Sequence, residues 1–435
     1  MNSDCDLYYS VKLRRNLAEC SVTVPPGAAH YSYSAVASKF LNSFKSAGFI
    51  PIEIDRPEIY MAPPISNHSR AVHVMFKPYQ EFRLLKRTTN IAHVAWEFED
   101  LPRRESWPIG DERRRDPFAD YVHMLRIPQH IWVGSNFTKS IFEKFGIKNV
   151  DLVPAPIFAP MIAGRDFDKT LQTIAQVGRL HLSQVKCIQM SENVIRNPET
   201  VVFREHTAPV SSLIRNDRTV FLLVANPGDL RKNLPALIDG FSIAAQKDPS
   251  LVLIIKLTID NHHVTLKSVL RDGLPKLYQN NEMAFGDVAP CNIFVITEFL
   301  TQEQLEAIYC CSDFYLSAAI AEGQNLPLQE AMAFGVIPVC GNHTAMNDYV
   351  TADNGVLMNW QQQPATFAFE QAYGMRAFKV PFISAEEVCN AAMRASQLSV
   401  RERQLKRSLA AMTIREGYGE EVISERIRQL LESYD

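Results

Sequence analysis

Residues 314–340 read FYLSAAIAEGQNLPLQEAMAFGVIPVC, with two apolar segments separated by a loop and a helix start. Residues 314–317 and 336–340 are short and apolar, which predicts buried strands. Pro327 suits the first turn of a helix, which we expect to run to residue 334. A strand, a loop, a helix and a second strand in this order predict a parallel βαβ unit.

The same alternation precedes this unit along the chain. Strands are predicted at residues 220–225, 251–257 and 293–297, and helices at residues 235–246, 264–272 and 302–311. Strands that alternate with helices at short spacing indicate a parallel sheet covered on both faces. Such sheets bind ligands at the carboxyl ends of their strands, so polar residues there are the first candidates for a site.

The first third of the chain has a comparable pattern. Residues 34–49 place apolar side chains at helical spacing, and residues 50–54 alternate as a strand does. Further elements are predicted as strands at residues 90–96, 130–134 and 150–156 and as a helix at residues 138–145. Either Ser135 or Asn136 can cap that helix.

The length of 435 residues is too great for one hydrophobic core, because single cores stop growing at roughly 250 to 300 residues. We therefore expect an α/β protein with two domains. The expected division is a first domain over residues 1–160, a linker or the start of the second domain over 161–215, a second domain over 216–400, and C-terminal helices over 401–435 that pack back toward the first domain.

Composition is that of a folded protein, with 46% apolar and 21% charged residues. The first 15 residues contain charged side chains and no apolar run, so we expect no secretory signal. The longest apolar runs, such as residues 251–255, are far shorter than the roughly 20 residues that span a bilayer. These features predict a cytoplasmic protein.

Charge is unevenly distributed along the chain. The first 150 residues carry 20 Lys and Arg against 16 Asp and Glu, whereas the whole chain has a net charge of -3. This excess is either ordinary solvated charge or a surface that holds an anionic lipid-linked acceptor or a membrane near the first domain. The second interpretation predicts peripheral contact with the inner membrane face. We expect no nucleic-acid partner.

The loop and helix start at residues 321–333 indicate a binding site. The loop brings Glu322 and backbone amides to the positive end of the helix, and Glu330 lies further into the helix. A diphosphate fits such an end, while ionised carboxylates accept hydrogen bonds from sugar hydroxyls. Together these groups predict a site for a sugar nucleotide. The alternative is that the acidic residues only favour the helix dipole.

Arg231 and Lys232 follow the predicted strand at residues 220–225 and precede the helix at 235–246. Two cations at the end of a parallel strand can neutralise a diphosphate leaving group. An Arg-Lys pair in a loop is otherwise an ordinary solvated surface.

With these residues the sequence resembles the retaining glycosyltransferases of family 4, whose signature is EGxGLPxxEAMAxG. The resemblance implies a GT-B fold, in which two Rossmann-like domains face each other across a cleft. It also implies that Glu322 holds the hydroxyls of the donor sugar, that Glu330 holds the ribose, and that Arg231 and Lys232 clamp the phosphates. Gly323, Gln324 and Leu326 belong to the same donor-binding loop by this resemblance.

Further matches at Trp96-Glu97…Leu101-Pro102 and at residues 131–137 resemble a subgroup common in bacterial surface polysaccharide assembly. The resemblance implies retaining transfer from a nucleotide-sugar to a glycan or lipid-linked acceptor, without a metal or other cofactor. Glu97 ends a predicted inner strand, so it is either an active-site residue or a structural partner of Trp96. We expect the nearby His93 to be a core histidine.

The sequence departs from the family pattern at several positions. Asn325 replaces the second glycine of the signature, and Asn tolerates left-handed backbone angles better than most residues. Asn226 stands near the place where many members have a further arginine. Gly27 is either the close-approach glycine of the first βα loop or part of a simple turn.

The triplets Asp4-Cys5-Asp6 and Asp166-Phe167-Asp168 do not follow a clear buried strand, so we predict no catalytic metal. Two other classes of function stay open. The departures at Asn325 and Asn226 allow a catalytically silent GT-B subunit that binds a partner glycosyltransferase or a glycan. A nucleotide-sugar epimerase or a phosphorylase could also use this architecture.

Overall fold

A computed structural model of the chain describes residues 5–11, 31–60, 70–107, 109–158, 176, 178–191, 207–258 and 288–434. Gly27, the predicted helix at 264–272 and the triplet at 166–168 lie outside these ranges. Within the described residues, the strands form a six-stranded sheet, an eight-stranded sheet and a two-stranded hairpin.

The first sheet is parallel throughout, in the order β2-β1-β3-β4-β5-β6. Its strands are β1 (Cys5–Val11), β2 (Pro51–Glu53), β3 (Arg70–Phe76), β4 (Thr89–Val94), β5 (His130–Val133) and β6 (Val150–Leu152). The last strand is shorter than predicted because Pro154 and Pro156 have no backbone N–H to donate.

Three helices accompany the first sheet, namely α1 (Tyr31–Ser46), α2 (Tyr121–Met124) and α3 (Asn136–Lys144). Phe40 and Phe44 of α1 are fully buried, and the ring of Phe40 lies 5.2 Å from that of Phe76 in β3. At the start of α3, the Ser135 hydroxyl accepts a hydrogen bond from the Thr138 amide at 3.2 Å. Ser135 is therefore the capping residue and Asn136 the first residue of the helix.

The second sheet has the order β14-β13-β12-β9-β10-β11-β7-β8. Its strands are β7 (Lys186–Gln189), β8 (Thr207–Pro209), β9 (Thr219–Ala225), β10 (Leu251–Leu257), β11 (Ile293–Ile296), β12 (Phe314–Ser317), β13 (Ile337–Cys340) and β14 (Val356–Leu357). Strands β9 to β14 pair in parallel as the alternation predicts, but β7 and β8 pair antiparallel at one edge.

Of the helices predicted between strands of the second sheet, those at 235–246, 302–311 and 327–334 are present among the described residues. These helices, with those that follow, are α4 (Leu234–Lys247), α5 (Gln302–Cys310), α6 (Leu326–Ala333), α7 (Phe367–Tyr373), α8 (Ala385–Ser396), α9 (Val400–Tyr418) and α10 (Glu420–Ser433). An antiparallel hairpin of β15 (Gln361–Pro364) and β16 (Lys379–Phe382) flanks α7.

The C-terminal helix α10 packs against the first sheet rather than the second. Ile423, Ile427 and Leu431 are buried in the same apolar cluster as Phe40. Beyond the helix, the Tyr434 hydroxyl accepts a 2.7 Å hydrogen bond from the Trp132 indole of β5. The end of the chain therefore joins the core of the first sheet. No helix among the described residues is both apolar enough and long enough to cross a bilayer.

Candidate functional site

The candidate site lies where the carboxyl ends of strands from both sheets meet. Glu97 follows β4 of the first sheet, Arg231 and Lys232 follow β9 of the second, and Glu322 follows β12. These are the positions at which parallel sheets bind ligands. The four side chains that were predicted to be catalytic are thus brought together by elements from distant parts of the chain.

Lys232 and Glu322 form the centre of this cluster. The Lys232 Nζ lies 2.5 Å from Oε1 of Glu322, and the side chains are only 14% and 5% exposed. A charged pair so far from solvent is held in a fixed geometry, because either group alone would be an uncompensated buried charge.

Arg231 connects the two sheets. Its Nη1 lies 2.5 Å from Oε1 of Glu97, and its Nη2 lies 2.6 Å from Oδ2 of Asp229. The Arg231 Nε also donates to Asp229 Oδ1 at 3.0 Å. The guanidinium is therefore held by two carboxylates, Glu97 and Asp229. Tyr373, at the end of α7, donates its hydroxyl to the same Asp229 oxygen at 3.2 Å.

Burial and neighbouring charges shift the pKa values of two carboxyl groups in this cluster. Burial opposes the charged form of Asp229, but Arg231 and Lys232 outweigh it and lower the pKa of this carboxyl to about 2. Burial raises the pKa of Glu97 above its usual value, although Arg231 acts in the opposite direction. Burial therefore opposes ionisation of Glu97 even though this carboxyl pairs with Arg231.

The loop before α6 ends in a left-handed residue, a conformation that Asn tolerates better than most residues. Asn325 is left-handed, with φ 61° and ψ 62°, and precedes Leu326 and Pro327 at the helix start. Asn233 before α4 has the same conformation, with φ 48° and ψ 44°, and again a Leu-Pro pair follows. Two Asn-Leu-Pro turns therefore begin the two helices that point their positive ends at the charged cluster.

The Gln324 side chain forms hydrogen bonds with the backbone of Ala155, which follows β6 of the first sheet. Its Nε2 donates to the Ala155 carbonyl at 2.8 Å, and its Oε1 accepts from the Ala155 amide at 2.9 Å. Gly134 lies against it, since a Cβ there would approach the Gln324 Oε1 to 2.9 Å. In this state the Gln324 side chain joins the loop to the residues after β6.

Gly323 and Leu326 also contact the first sheet. A Cβ at Gly323 would lie 3.3 Å from the Trp96 nitrogen, so the loop passes close to the backbone after β4. Leu326 packs against the apolar clusters of both sheets.

Glu330 is held by partners from both sheets. Its Oε1 lies 2.8 Å from the Nζ of Lys39 in α1, and its Oε2 accepts a 3.1 Å hydrogen bond from the Tyr309 hydroxyl. Glu322 and Glu330 both lie close enough to Tyr315 to raise the pKa of its phenol, after the larger effect of burial. The two glutamates of the motif therefore flank the same buried tyrosine.

Thr344 is a site residue that the sequence did not single out. Its hydroxyl accepts a 3.1 Å hydrogen bond from the Glu322 amide, and the Ala345 amide donates to the Glu322 carbonyl at 3.2 Å. The φ of Thr344 is 50°, which is an outlier for a β-branched residue and marks a strained position. Sequence could not show this, because nothing in Asn-His-Thr-Ala signals a left-handed threonine.

Comparison with known proteins identifies the fold. No protein-family model matches the sequence, and no curated protein matches it. The E. coli trehalose-6-phosphate structure bound with UDP-2-fluoro glucose aligns at a TM-score of 0.54 and 10% identity over 99% of each chain. An alpha,alpha-trehalose-phosphate synthase (UDP-forming) from Burkholderia xenovorans, in complex with glucose-6-phosphate, aligns at 0.54 and 11% identity over 92% of this chain and 80% of that one.

The chain has the GT-B fold. At such identities the likeness shows the fold alone. The structure of a TarM mutant from S. aureus aligns at a TM-score of 0.46 and 12% identity over 83% of this chain. This chain spans about half of TarM, covering 55% of it.

Asn226, a residue of the predicted site, takes no part in the charged cluster, and the nearby His93 lies where the sequence predicts it. Asn226 is exposed, and its Oδ1 accepts a 2.9 Å hydrogen bond from the Gly228 amide within its own turn. His93 lies in the core, with its ring 4.8 Å from that of Phe40, and burial lowers its pKa to about 4. Across the described part of this GT-B chain, no three His, Cys, Asp or Glu side chains are grouped as metal ligands would be.

Proposed function

We propose that this protein is a retaining glycosyltransferase that transfers a sugar from a nucleotide-sugar donor to a glycan or lipid-linked acceptor. The observation that carries the proposal is the convergence of Lys232, Glu322, Arg231 and Glu97 at facing strand ends of a GT-B fold. Cations for a diphosphate and carboxylates for hydroxyls are what a nucleotide-sugar requires.

The charge balance of the cluster indicates how the donor enters. Among the described residues, the carboxylates of Glu97, Asp229 and Glu322 form their salt bridges with two cations, Arg231 and Lys232. A diphosphate adds further negative charge, so at least one of these pairings must yield when it binds. Arg231 and Lys232 then neutralise the charge that develops on the leaving phosphates.

Glu322 and Glu330 act as hydroxyl acceptors in this proposal. Glu322 orients the donor sugar, and Glu330 exchanges the Tyr309 hydroxyl or the Lys39 ammonium for the ribose hydroxyls. The leaving phosphate assists deprotonation of the acceptor hydroxyl on the same face of the sugar, so the configuration is retained without a protein nucleophile. Contact between the loop at 322–326 and the first sheet excludes water from the reaction.

We extend the proposal to several properties that follow from the resemblance in sequence. The enzyme needs no metal, and its acceptor belongs to bacterial surface polysaccharide synthesis. A first domain over residues 1–160 holds the first sheet and binds the acceptor. A second domain over 216–400 binds the donor and begins within 161–215, since β7 and β8 of that segment belong to its sheet. The protein is cytoplasmic, and its basic first domain contacts the inner membrane face.

A second candidate is a GT-B subunit without transfer activity. The pairing of Glu322 with Lys232 and of Glu330 with Lys39 favours it, because each motif carboxylate is already neutralised by a lysine. Such a subunit would bind a partner protein or a glycan and would leave nucleotide-sugars in solution.

Calorimetric titration with UDP-, GDP- and dTDP-linked sugars separates the two candidates. A glycosyltransferase binds at least one of these donors and releases its nucleotide when a suitable acceptor is added. Release without any acceptor would instead indicate hydrolysis of the donor, and conversion of the donor to its epimer without net release would indicate an epimerase. Absence of binding to all the donors would refute the transferase proposal and leave the silent subunit.

A further inference from the structure

A basic hollow of about 450 Å³ lies on the first sheet's side of the molecule, apart from the charged cluster. Arg103, Arg126 and Lys144 line it, beside the ring of Phe145. Lys144 ends α3, whose first turn faces the candidate site through a 2.7 Å hydrogen bond from Thr138 to the Trp96 carbonyl. Nine residues of helix, about 13 Å, separate the two ends.

The three cations come from different segments and converge on residues 144–146. The guanidinium of Arg103 lies 4.9 Å from the centre of the Phe145 ring, and the Lys144 Nζ lies 5.9 Å from the same ring. The Arg126 Nη2 lies 3.9 Å from the position that a Cβ at Gly146 would occupy. The fold therefore brings together three positive charges, Arg103, Arg126 and Lys144, that are distant in sequence.

No carboxylate neutralises these cations within the part of the chain that the structure describes. Asp120 is the acidic residue that lines the hollow, and its Oδ1 accepts a 2.8 Å hydrogen bond from the His123 amide at the start of α2. The three side chains are exposed, and a bound anion lowers the repulsion among like charges gathered at a surface. The hollow is large enough for a phosphate together with part of the molecule that carries it.

We propose that this hollow is a second binding site, which takes a phosphate group through Arg103, Arg126 and Lys144. Guanidinium groups match phosphate oxygens in pairs, and the ammonium of Lys144 supplies a further point charge. The phosphate belongs either to a soluble phosphorylated molecule or to a lipid headgroup. This binding does not depend on the transferase activity proposed for the other site.

The test uses the full chain with Lys232→Met, which weakens pyrophosphate binding at the candidate site. Calorimetry measures inorganic pyrophosphate binding in this chain and in the same chain with Arg126→Gln and Lys144→Gln. We expect the added pair to weaken binding at least about tenfold, since charge-assisted hydrogen bonds to phosphate are stronger than neutral ones. The matched control carries Lys379→Gln and Arg401→Gln, two exposed cations elsewhere, and should change affinity by less than about twofold.

Sedimentation with phosphatidylcholine vesicles, with and without phosphatidylglycerol, identifies the source of the phosphate. A loss of binding to both pyrophosphate and anionic vesicles in the Arg126→Gln, Lys144→Gln chain supports a lipid headgroup. A loss of pyrophosphate binding alone supports a soluble ligand. Pyrophosphate affinity that is absent, unchanged by this pair, or equally reduced by the control pair overturns the proposal.

Discussion

The Nζ of Lys232 and the Oε1 of Glu322 lie 2.5 Å apart, although 90 positions separate the two residues in the chain. Lys232 follows β9 and Glu322 follows β12, and these strands are neighbours in the second sheet. Parallel pairing brings the two strand ends to the same edge, so the contact is a direct consequence of the βαβ connections.

Replacing Glu322 by Gln should lower turnover by at least about tenfold, which is the scale of losing an oriented polar contact at a reacting centre. Gln keeps the shape of the Glu322 side chain but removes the negative charge that pairs with Lys232. Nucleotide release from the donor measures the effect. Glu386→Gln, an exposed change in α8, is the control and should leave turnover intact. Near-normal turnover of Glu322→Gln would contradict the role given to this residue.

Donor binding should be accompanied by proton uptake at Glu97. Burial already raises the pKa of this carboxyl, and an approaching diphosphate raises it further because like charges disfavour ionisation. Binding should therefore tighten as the pH falls toward the pKa of Glu97.

Calorimetry in buffers of different ionisation enthalpy detects this proton. An intact nucleotide-sugar is the appropriate ligand, since its diphosphate is doubly esterified. Glu97→Gln should abolish the buffer dependence. A wild-type binding enthalpy that is the same in every buffer would count against the idea.

Thr344→Val should reduce kcat with less effect on KM, because it leaves the Glu322 amide without its hydrogen bond while keeping the β-branched shape. An unsatisfied buried donor costs about 1 to 3 kcal/mol. Thr344→Ser retains the hydroxyl and should restore most of the activity. If both variants behave alike, the hydroxyl does not position Glu322 and only the backbone strain at Thr344 matters.

Stability should fall as the pH drops from about 6.5 toward 4. Burial lowers the pKa of His73, His93 and His343 to about 4 each, so the folded protein keeps them neutral. The histidines of the unfolded chain bind protons with the ordinary pKa of about 6.5, so this state takes up more protons than the folded one as the pH falls to about 4. The free energy of unfolding therefore decreases over this range.

Denaturant unfolding at a series of pH values tests this sign. His93→Leu should make the dependence of the unfolding free energy on pH shallower, whereas the exposed His123→Gln should leave it as it is. A stability that rises on acidification through this range would show that the buried histidines are charged in the fold.

The strands β1 and β3 show why part of the first sheet could not be predicted. The His73 Nδ1 in β3 donates to Oδ1 of Asn90 in β4 at 2.9 Å, and its Nε2 lies at hydrogen-bond distance, 3.0 Å, from the Ser10 hydroxyl of β1. All three side chains are fully or almost fully buried. Polar residues that satisfy one another across three strands interrupt the apolar pattern on which strand prediction depends.

The sequence by itself determined the strands β9 to β13 and the described helices α4, α5 and α6 between them, because hydrophobic period and Pro327 act over a few residues. It also supplied Glu322, Arg231 and Lys232 as candidates. Only the tertiary structure decided which groups surround them. Tyr373, Thr344 and Lys39 come from distant segments, and their contacts depend on how the two sheets and α7 pack, which no local pattern encodes.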